Sequence, residues 1–289
     1  MESRRKTLFI VLCFVVALLL CGCGQSVSDQ SGDITASPAA ATATATPDWT
    51  PTASPVPSPT AAPVTASPAP SLANAVRENG ISVGDHVTFG VYPQTAAGGD
   101  STPIEWLVLD TDGGKALLLS RYGLDVLPFN TSYIGIDWET CTLRAWLNDT
   151  FLNAAFPAAE REKILLTDVD NSAAQGYDGW NTRDGNPTQD YLFLLSYAEA
   201  NRYFGVTFNG VDNVKARLAP TAYAIAHGAY TNTLYQTEAG ENSAFWWLRS
   251  PGSFRNRAAG VITNGSLGVI TVDHLIDCVR PAMWVTLGN

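Results

Sequence analysis

Residues 73–289 read as one α+β domain. Three observations predict it: short β-rich segments open and close the stretch, an apolar stripe at helical spacing lies between them, and a capping box marks a further helix. His86–Tyr92 is the first strand, and Pro93 ends it. Ile104–Leu109 and Lys115–Ser120 form a hairpin around the turn Asp112-Gly113-Gly114. A helix follows over Thr142–Ala154, where Leu143, Trp146, Leu147 and Phe151 fall on one face. Pro157 opens a short helix with Glu160 and Glu162 in its first turn. Tyr191–Leu195 reads as a buried strand; Ser196 and Glu199 then make the capping box of a helix reaching Phe204. Phe245–Leu248, Ala258–Thr263, Leu267–Val272 and Cys278–Leu287 are strand-like, with Asn264-Gly265 as a hairpin turn.

The first 72 residues differ in kind. Arg4-Arg5-Lys6 precedes an apolar run from Leu8 to Leu20, too short for a comfortable membrane span and of the length of a signal-peptide core. The run ends in Leu20-Cys21-Gly22-Cys23, which resembles a bacterial lipobox. The resemblance implies that residues 1–22 are a signal peptide, that Cys23 is the lipidation site, and that the chain is anchored at the extracellular face of the bacterial cell membrane. An ordinary secretory signal or an uncleaved anchor is the alternative. Residues 24–72 are built largely from Ser, Thr, Ala and Pro, with almost no charge. Such a segment cannot bury enough apolar surface to fold, and its prolines favour extended conformers. At ~3.1 Å per residue this disordered spacer reaches on the order of 150 Å.

Charge and cysteines narrow the partners. The chain carries 17 basic and 27 acidic residues. Setting aside Arg4, Arg5, Lys6, Glu2, Asp29, Asp33 and Asp48 leaves 14 against 23 for the domain. Nucleic acid and anionic headgroups, which need a basic footprint, are poor partners. Cys141 and Cys278 are the domain's two cysteines. In an exported domain such a pair predicts a disulfide, which would stabilise by roughly 4–5 kcal/mol in the chain-entropy model. Two separate buried thiols are the alternative.

Most common catalytic signatures are absent. His86, His227 and His274 have no His or Cys neighbour at metal-ligand spacing. There is no Gly-x-Ser-x-Gly elbow, phosphate-binding glycine loop or His-Glu-x-x-His. Glu105 and Glu139, each beside a Trp, are the candidates for a glycosidase-like carboxylate pair. No cofactor is implied. Asp178, Asp184, Asn186 and Asp190 offer oxygen ligands for calcium, although their spacing is not that of an EF-hand and a solvated turn is the simpler reading. Trp180 lies off any apolar stripe, with Asn181 and Arg183 beside it, and reads as a ligand anchor or as a side chain folded back onto the domain.

Six blocks carry a family resemblance: Phe89–Gln94, Ile104–Val108, Leu143–Asn148, Phe193–Ser196, Phe245–Gly252 and Cys278–Val285. In this order they resemble the bacterial DUF6273 domain. The pair Trp246-Trp247-Leu248-Arg249-Ser250 and Val279-Arg280-Pro281-Ala282 is also similar to the C-terminal half of C-type-lectin-like folds, in the branch of the formylglycine-generating enzymes and the retroelement variable proteins. That likeness implies a small twisted, mainly antiparallel sheet, two to three helices and long loops. It makes Arg249 and Arg280 scaffold residues paired with carboxylates or carbonyls. It places Ser253–Asn256 and Thr271–Asp277 in surface loops, with Phe254, Arg255, Asn256 and Arg257 as a contact patch or a solvated turn. The calcium triplets of the lectins are missing, and of the paired active-site cysteines of the formylglycine enzymes only Cys278 is present. The expectation is therefore a lipid-anchored binding module for an extracellular protein or glycan. An exported hydrolase acting on cell-wall glycan or peptide is the alternative, and a self-associating surface protein a third reading.

Overall fold

The computed structural model describes residues 68–78, 80–181 and 183–288. The expected signal peptide, Cys23 and the expected spacer as far as residue 67 lie outside the described residues. No helix among the described residues is long and apolar enough to cross a membrane.

The fold takes in residues that composition gives to the spacer. Pro70 O accepts from Thr88 N at 2.8 Å, and Leu72, which opens helix α1 (Leu72–Glu78), is buried. Strands β1 (His86–Tyr92), β2 (Thr102–Asp112) and β3 (Lys115–Ser120) form a meander. Gly113 and Gly114 both have positive φ (56° and 85°), as a two-residue turn with matching twist requires. The short β4 (Asp125–Val126) follows.

The amphipathic helix is interrupted. It runs as α2 (Thr142–Trp146), widens into a π-type turn over Leu147–Phe151 and resumes as α3 (Leu152–Ala155). Asn148 sits in the widened turn. Its Nδ2 donates to Leu192 O at 2.8 Å, and its Oδ1 accepts from Tyr191 N (2.8 Å) and Leu192 N (3.1 Å). This corrects the expected strand Tyr191–Leu195: its backbone is partly satisfied by a side chain and is irregular there, although Leu192–Leu195 are buried. Helix α4 (Ala158–Arg161) and strands β5 (Thr167–Val169) and β6 (Thr188–Asp190) come before helix α5 (Tyr197–Phe204), whose capping box forms as expected. Helix α6 (Ala222–Ala226) and the hairpin β7 (Thr231–Gln236) and β8 (Asn242–Ala244) carry no strong local signal.

The end of the chain supplies β9 (Trp246–Pro251), β10 (Arg257–Val261), β11 (Leu267–Thr271), β12 (Cys278–Val279) and β13 (Ala282–Thr286). The expected single strand Cys278–Leu287 is thus two. Pro281, which lacks an N–H to donate, stands at the break, and the halves join different sheets. One sheet is β1-β2-β3-β13, antiparallel throughout; the other is β11-β10-β9-β12-β4, antiparallel except for β9 and β12. The domain is α+β with mostly antiparallel sheets.

Four buried tryptophans fill the core, and each indole N–H has an acceptor, as burial of that group demands. Trp106 donates to Phe89 O, Trp246 to Ala216 O, Trp247 to Leu127 O, and Trp138 to Asp190 Oδ2. The expected disulfide is absent: Cys141 and Cys278 are free, buried thiols. Cys141 caps α2, its Sγ accepting from Arg144 N at 3.4 Å, and burial pushes its thiol up to about 12. Cys278 lies against Gly123, where a Cβ would come within 2.6 Å of its own. Each sulfur is committed to a separate packing role.

Asp190, fully buried, ties α2 to β6. It accepts from Arg144 Nε at 2.6 Å, Trp138 Nε1 at 2.9 Å and Thr188 Oγ1 at 2.8 Å. Removing one member of such a network leaves an uncompensated charge and orphaned donors. Asp190→Ala is expected to lower unfolding free energy by roughly 3 kcal/mol, measured by denaturant titration of tryptophan fluorescence.

Candidate functional site

Two distant segments form one groove. One wall is the 3-10 turn Asp178–Trp180 with Asn181 and Arg183; the other is the loop between β9 and β10, with Ser253, Phe254 and Arg255. The groove has a volume of about 330 Å³ and Pro251 and Gly252 on its floor. Phe254 is 67% exposed.

The walls are fixed by bonds beneath them. Ser250 Oγ, at the end of β9, donates to Gln175 O at 2.7 Å and accepts from Tyr197 N at 2.9 Å. Arg249, almost wholly buried, forks onto Glu199 and also donates to Leu194 O (2.8 Å) and Asp170 O (3.0 Å). The strand that leads into the loop is therefore joined directly to the turns preceding Trp180. Trp180 is half-buried. It meets Tyr177 and Phe208 edge-on, each at 5.2 Å between ring centroids. This leaves part of the indole for the groove. Asn181 has φ 50°, the only non-glycine residue among those described in the left-handed region; Asn tolerates that conformation better than most residues, and it turns the chain along the groove wall.

The loop wall is a tight reversal. Gly252 N donates to Arg257 O at 2.8 Å and Arg257 N to Phe254 O at 3.0 Å. Ile136 N donates to Arg255 O at 3.0 Å, which pins the loop to the 132–136 segment. Two of the expected contact residues leave the groove. Asn256 is half-buried and its carbonyl accepts from Val272 N. Arg257 begins β10, crosses Gly252, and lines another recess with His274 and Asp277. Arg257 is drawn into the β10–β11 ladder opposite Thr271.

Pro251 also borders a narrower cleft lined by Glu139, Asn171, Gln175, Asn186 and Arg249. Asn171 Oδ1 and Arg249 Nε are buried there without a hydrogen-bond partner among the described residues. Composition gave no sign of this polar extension, because its members are spread from residue 137 to residue 251.

The proposed calcium set does not converge. Asp190 is committed to Arg144 and Trp138, Asp184 Oδ1 accepts from Ala173 N, and Asn186 Nδ2 donates to Glu139. Asp178 is in the 3-10 turn. Among the described residues no three His, Cys, Asp or Glu side chains are grouped to hold a metal. The carboxylate pair fares similarly. Glu105 is held by His86 (2.8 Å) and Arg121 (2.6 Å), whereas Glu139 lines the narrow cleft. Each histidine pairs with a carboxylate: His86 with Glu105, His227 with Asp125, and His274 with Asp277. Among the described residues no Ser or Cys side chain hydrogen-bonds to an imidazole.

A family model described as a domain of unknown function, DUF6273, matches residues 113–287. The chain belongs to the DUF6273 family. The DUF6273 match contains both walls of the groove, Arg249 and Arg280, and it begins at the turn after β2, so the blocks Phe89–Gln94 and Ile104–Val108 precede it. No curated protein and no solved structure matches the chain.

The His274–Asp277 pair sets a pH dependence. The bond to Asp277 raises the His274 pKa above the ordinary 6.5, and burial raises that of Asp277. Both shifts mean that the folded state holds protons more tightly than the unfolded chain. The stabilisation by His274 is therefore complete below its ordinary pKa and fades as pH rises through the raised one. His274→Gln is expected to lower the melting temperature more at about pH 5.5 than at about pH 8.5, as read by circular dichroism.

Proposed function

We propose that this chain is a lipid-anchored extracellular binding module, holding a protein or glycan ligand in the groove between the Trp180 turn and the β9–β10 loop. One observation carries the reading: Trp180, Asn181, Arg183, Phe254 and Arg255, from segments some seventy residues apart, line the same groove. Its mixture of exposed aromatic and polar side chains is that of a recognition surface. Aromatic rings supply rigid apolar area, while Asn and Arg supply directional donors. The narrow cleft beyond Pro251 extends it with amide and carboxylate groups suited to hydroxyls.

On this reading the architecture is a C-type-lectin-like variant, in which curled antiparallel sheets support irregular ligand-facing segments without the lectin calcium site. The lipobox-like Cys23 anchors the domain, and the Ser/Thr/Pro spacer holds it away from the membrane. The hydrolase alternative has less support, since Glu105 and Glu139 do not line one cleft and none of the histidines activates a hydroxyl or thiol.

The full chain, purified in detergent, is expected to bind a subset of immobilised glycans or cell-surface proteins with or without calcium. Trp180→Ala and Phe254→Ala are each expected to weaken that binding on the order of tenfold while leaving the circular dichroism spectrum unchanged. Folded variants that bind as tightly as the parent would sink the groove assignment. The mature chain is expected to begin at Cys23 with a diacylglyceryl group on its sulfur, read by mass spectrometry of the N-terminal peptide; an unmodified Cys23 would refute the lipid anchor.

A further inference from the structure

We infer that the cleft lined by Arg280 and Arg217 is a second binding site, built for a small carboxylate. It shares no residue with the groove. Arg280 is 5% exposed. Its Nε donates to Ser120 O at 3.0 Å, and its guanidinium lies over Trp246 and Phe204, at 4.8 Å and 5.4 Å from the ring centroids. Among the described residues Nη1 has no hydrogen-bond partner and no carboxylate pairs with the group. Arg249, the other buried arginine of this fold, is forked onto Glu199. A buried charge without a counter-ion is costly, and a bound anion offsets that cost.

The surroundings support an anion. Arg280 lines a cleft of about 260 Å³ together with Arg121, Lys215 and Arg217. Within this cleft Arg217 is the second arginine with a buried nitrogen unpartnered among the described residues, its Nε, although its terminal nitrogens reach Asp212 and Gln236 O. Arg121 is bound to Glu105. Burial pushes Arg280 down to about 9, so the group is still charged at neutral pH. Glu238 and Glu241 also line the cleft, and the chain carries a net charge of −10. Long polyanions are thereby repelled, whereas one small anion that passes the glutamates enters a cleft lined by four basic side chains, Arg121, Lys215, Arg217 and Arg280, against two acidic ones. The volume suits a molecule the size of a sugar acid or a dipeptide. An arginine fork matches a carboxylate in shape as well as charge.

Isothermal titration of the full chain in detergent, at constant ionic strength, tests this with acetate, D-glucuronate, D-glucose and inorganic phosphate. D-Glucuronate is expected to bind saturably at one site, acetate more weakly, and its neutral counterpart D-glucose not at all. Arg280→Lys is expected to weaken D-glucuronate binding at least about tenfold, since a lysine cannot reproduce the fork. Because Arg280 also supports the core, Arg217→Gln and Lys215→Ala provide tests at the cleft wall, with an expected loss of about threefold or more each. Trp180→Ala, in the groove, is expected to leave this binding unchanged. The inference is overturned if neither carboxylate binds, if phosphate is preferred over D-glucuronate, or if folded Arg217→Gln and Lys215→Ala proteins bind as the parent does.

Discussion

Two chain segments cross from one sheet to the other side by side, and the domain depends on the seam between them. The first runs from β3 to β4, the second from β12 to β13. Ser120 N donates to Pro281 O at 2.9 Å, Arg280 Nε to Ser120 O at 3.0 Å, and Leu124 N to Val279 O at 3.0 Å. Gly123 leaves room for Cys278 within the same seam. The bonds join residues about 160 positions apart, so the meander at the start of the domain and the strands at its end become one core. Arg280 is at the centre of this arrangement because its long side chain spans the seam and covers Trp246 and Phe204.

A second buried arginine does comparable work under the groove. Arg249 gathers Glu199, Leu194 and Asp170 onto β9, and the neighbouring Ser250 gathers Gln175 and Tyr197. Irregular backbone cannot satisfy itself, and here side chains from a strand provide its partners. The loop and the turn that face the groove consequently share one foundation. Rigid support below and exposed aromatic and polar groups above is the combination that lets a loop recognise a ligand without a large ordering cost.

The two arginines differ in one respect that separates structure from candidate function. Arg249 has a carboxylate and two carbonyls, and only its Nε is unpartnered. Among the described residues Arg280 has one carbonyl, two aromatic faces and no carboxylate. Both lie in the matched family region, and local sequence describes them alike as arginines followed by Ser-Pro or Pro. Only the distribution of acids in space distinguishes them.

Periodicity, turn glycines and the capping box were sufficient to place β1, β3, the helix after Cys141, α5 and the β10–β11 hairpin, because each of those signals arises between near neighbours. The Ser/Thr/Ala/Pro-rich composition of residues 24–72, the lipobox-like pattern ending at Cys23 and the acidic balance are read from the sequence alone. Tertiary structure decided the rest. Tyr191–Leu195 has the composition of a strand, yet Asn148 satisfies part of its backbone. Cys278–Leu287 reads as one strand, yet Pro281 divides it between two sheets. Trp180 and Phe254 are each legible as candidate contact aromatics, but their meeting in one groove depends on the Ser250–Gln175 and Arg249–Asp170 bonds. Asp190 has the look of a loop ligand and is instead a buried counter-charge to Arg144. Local signals report what a segment prefers by itself; which polar groups are satisfied, and by whom, is settled only when distant segments are packed together.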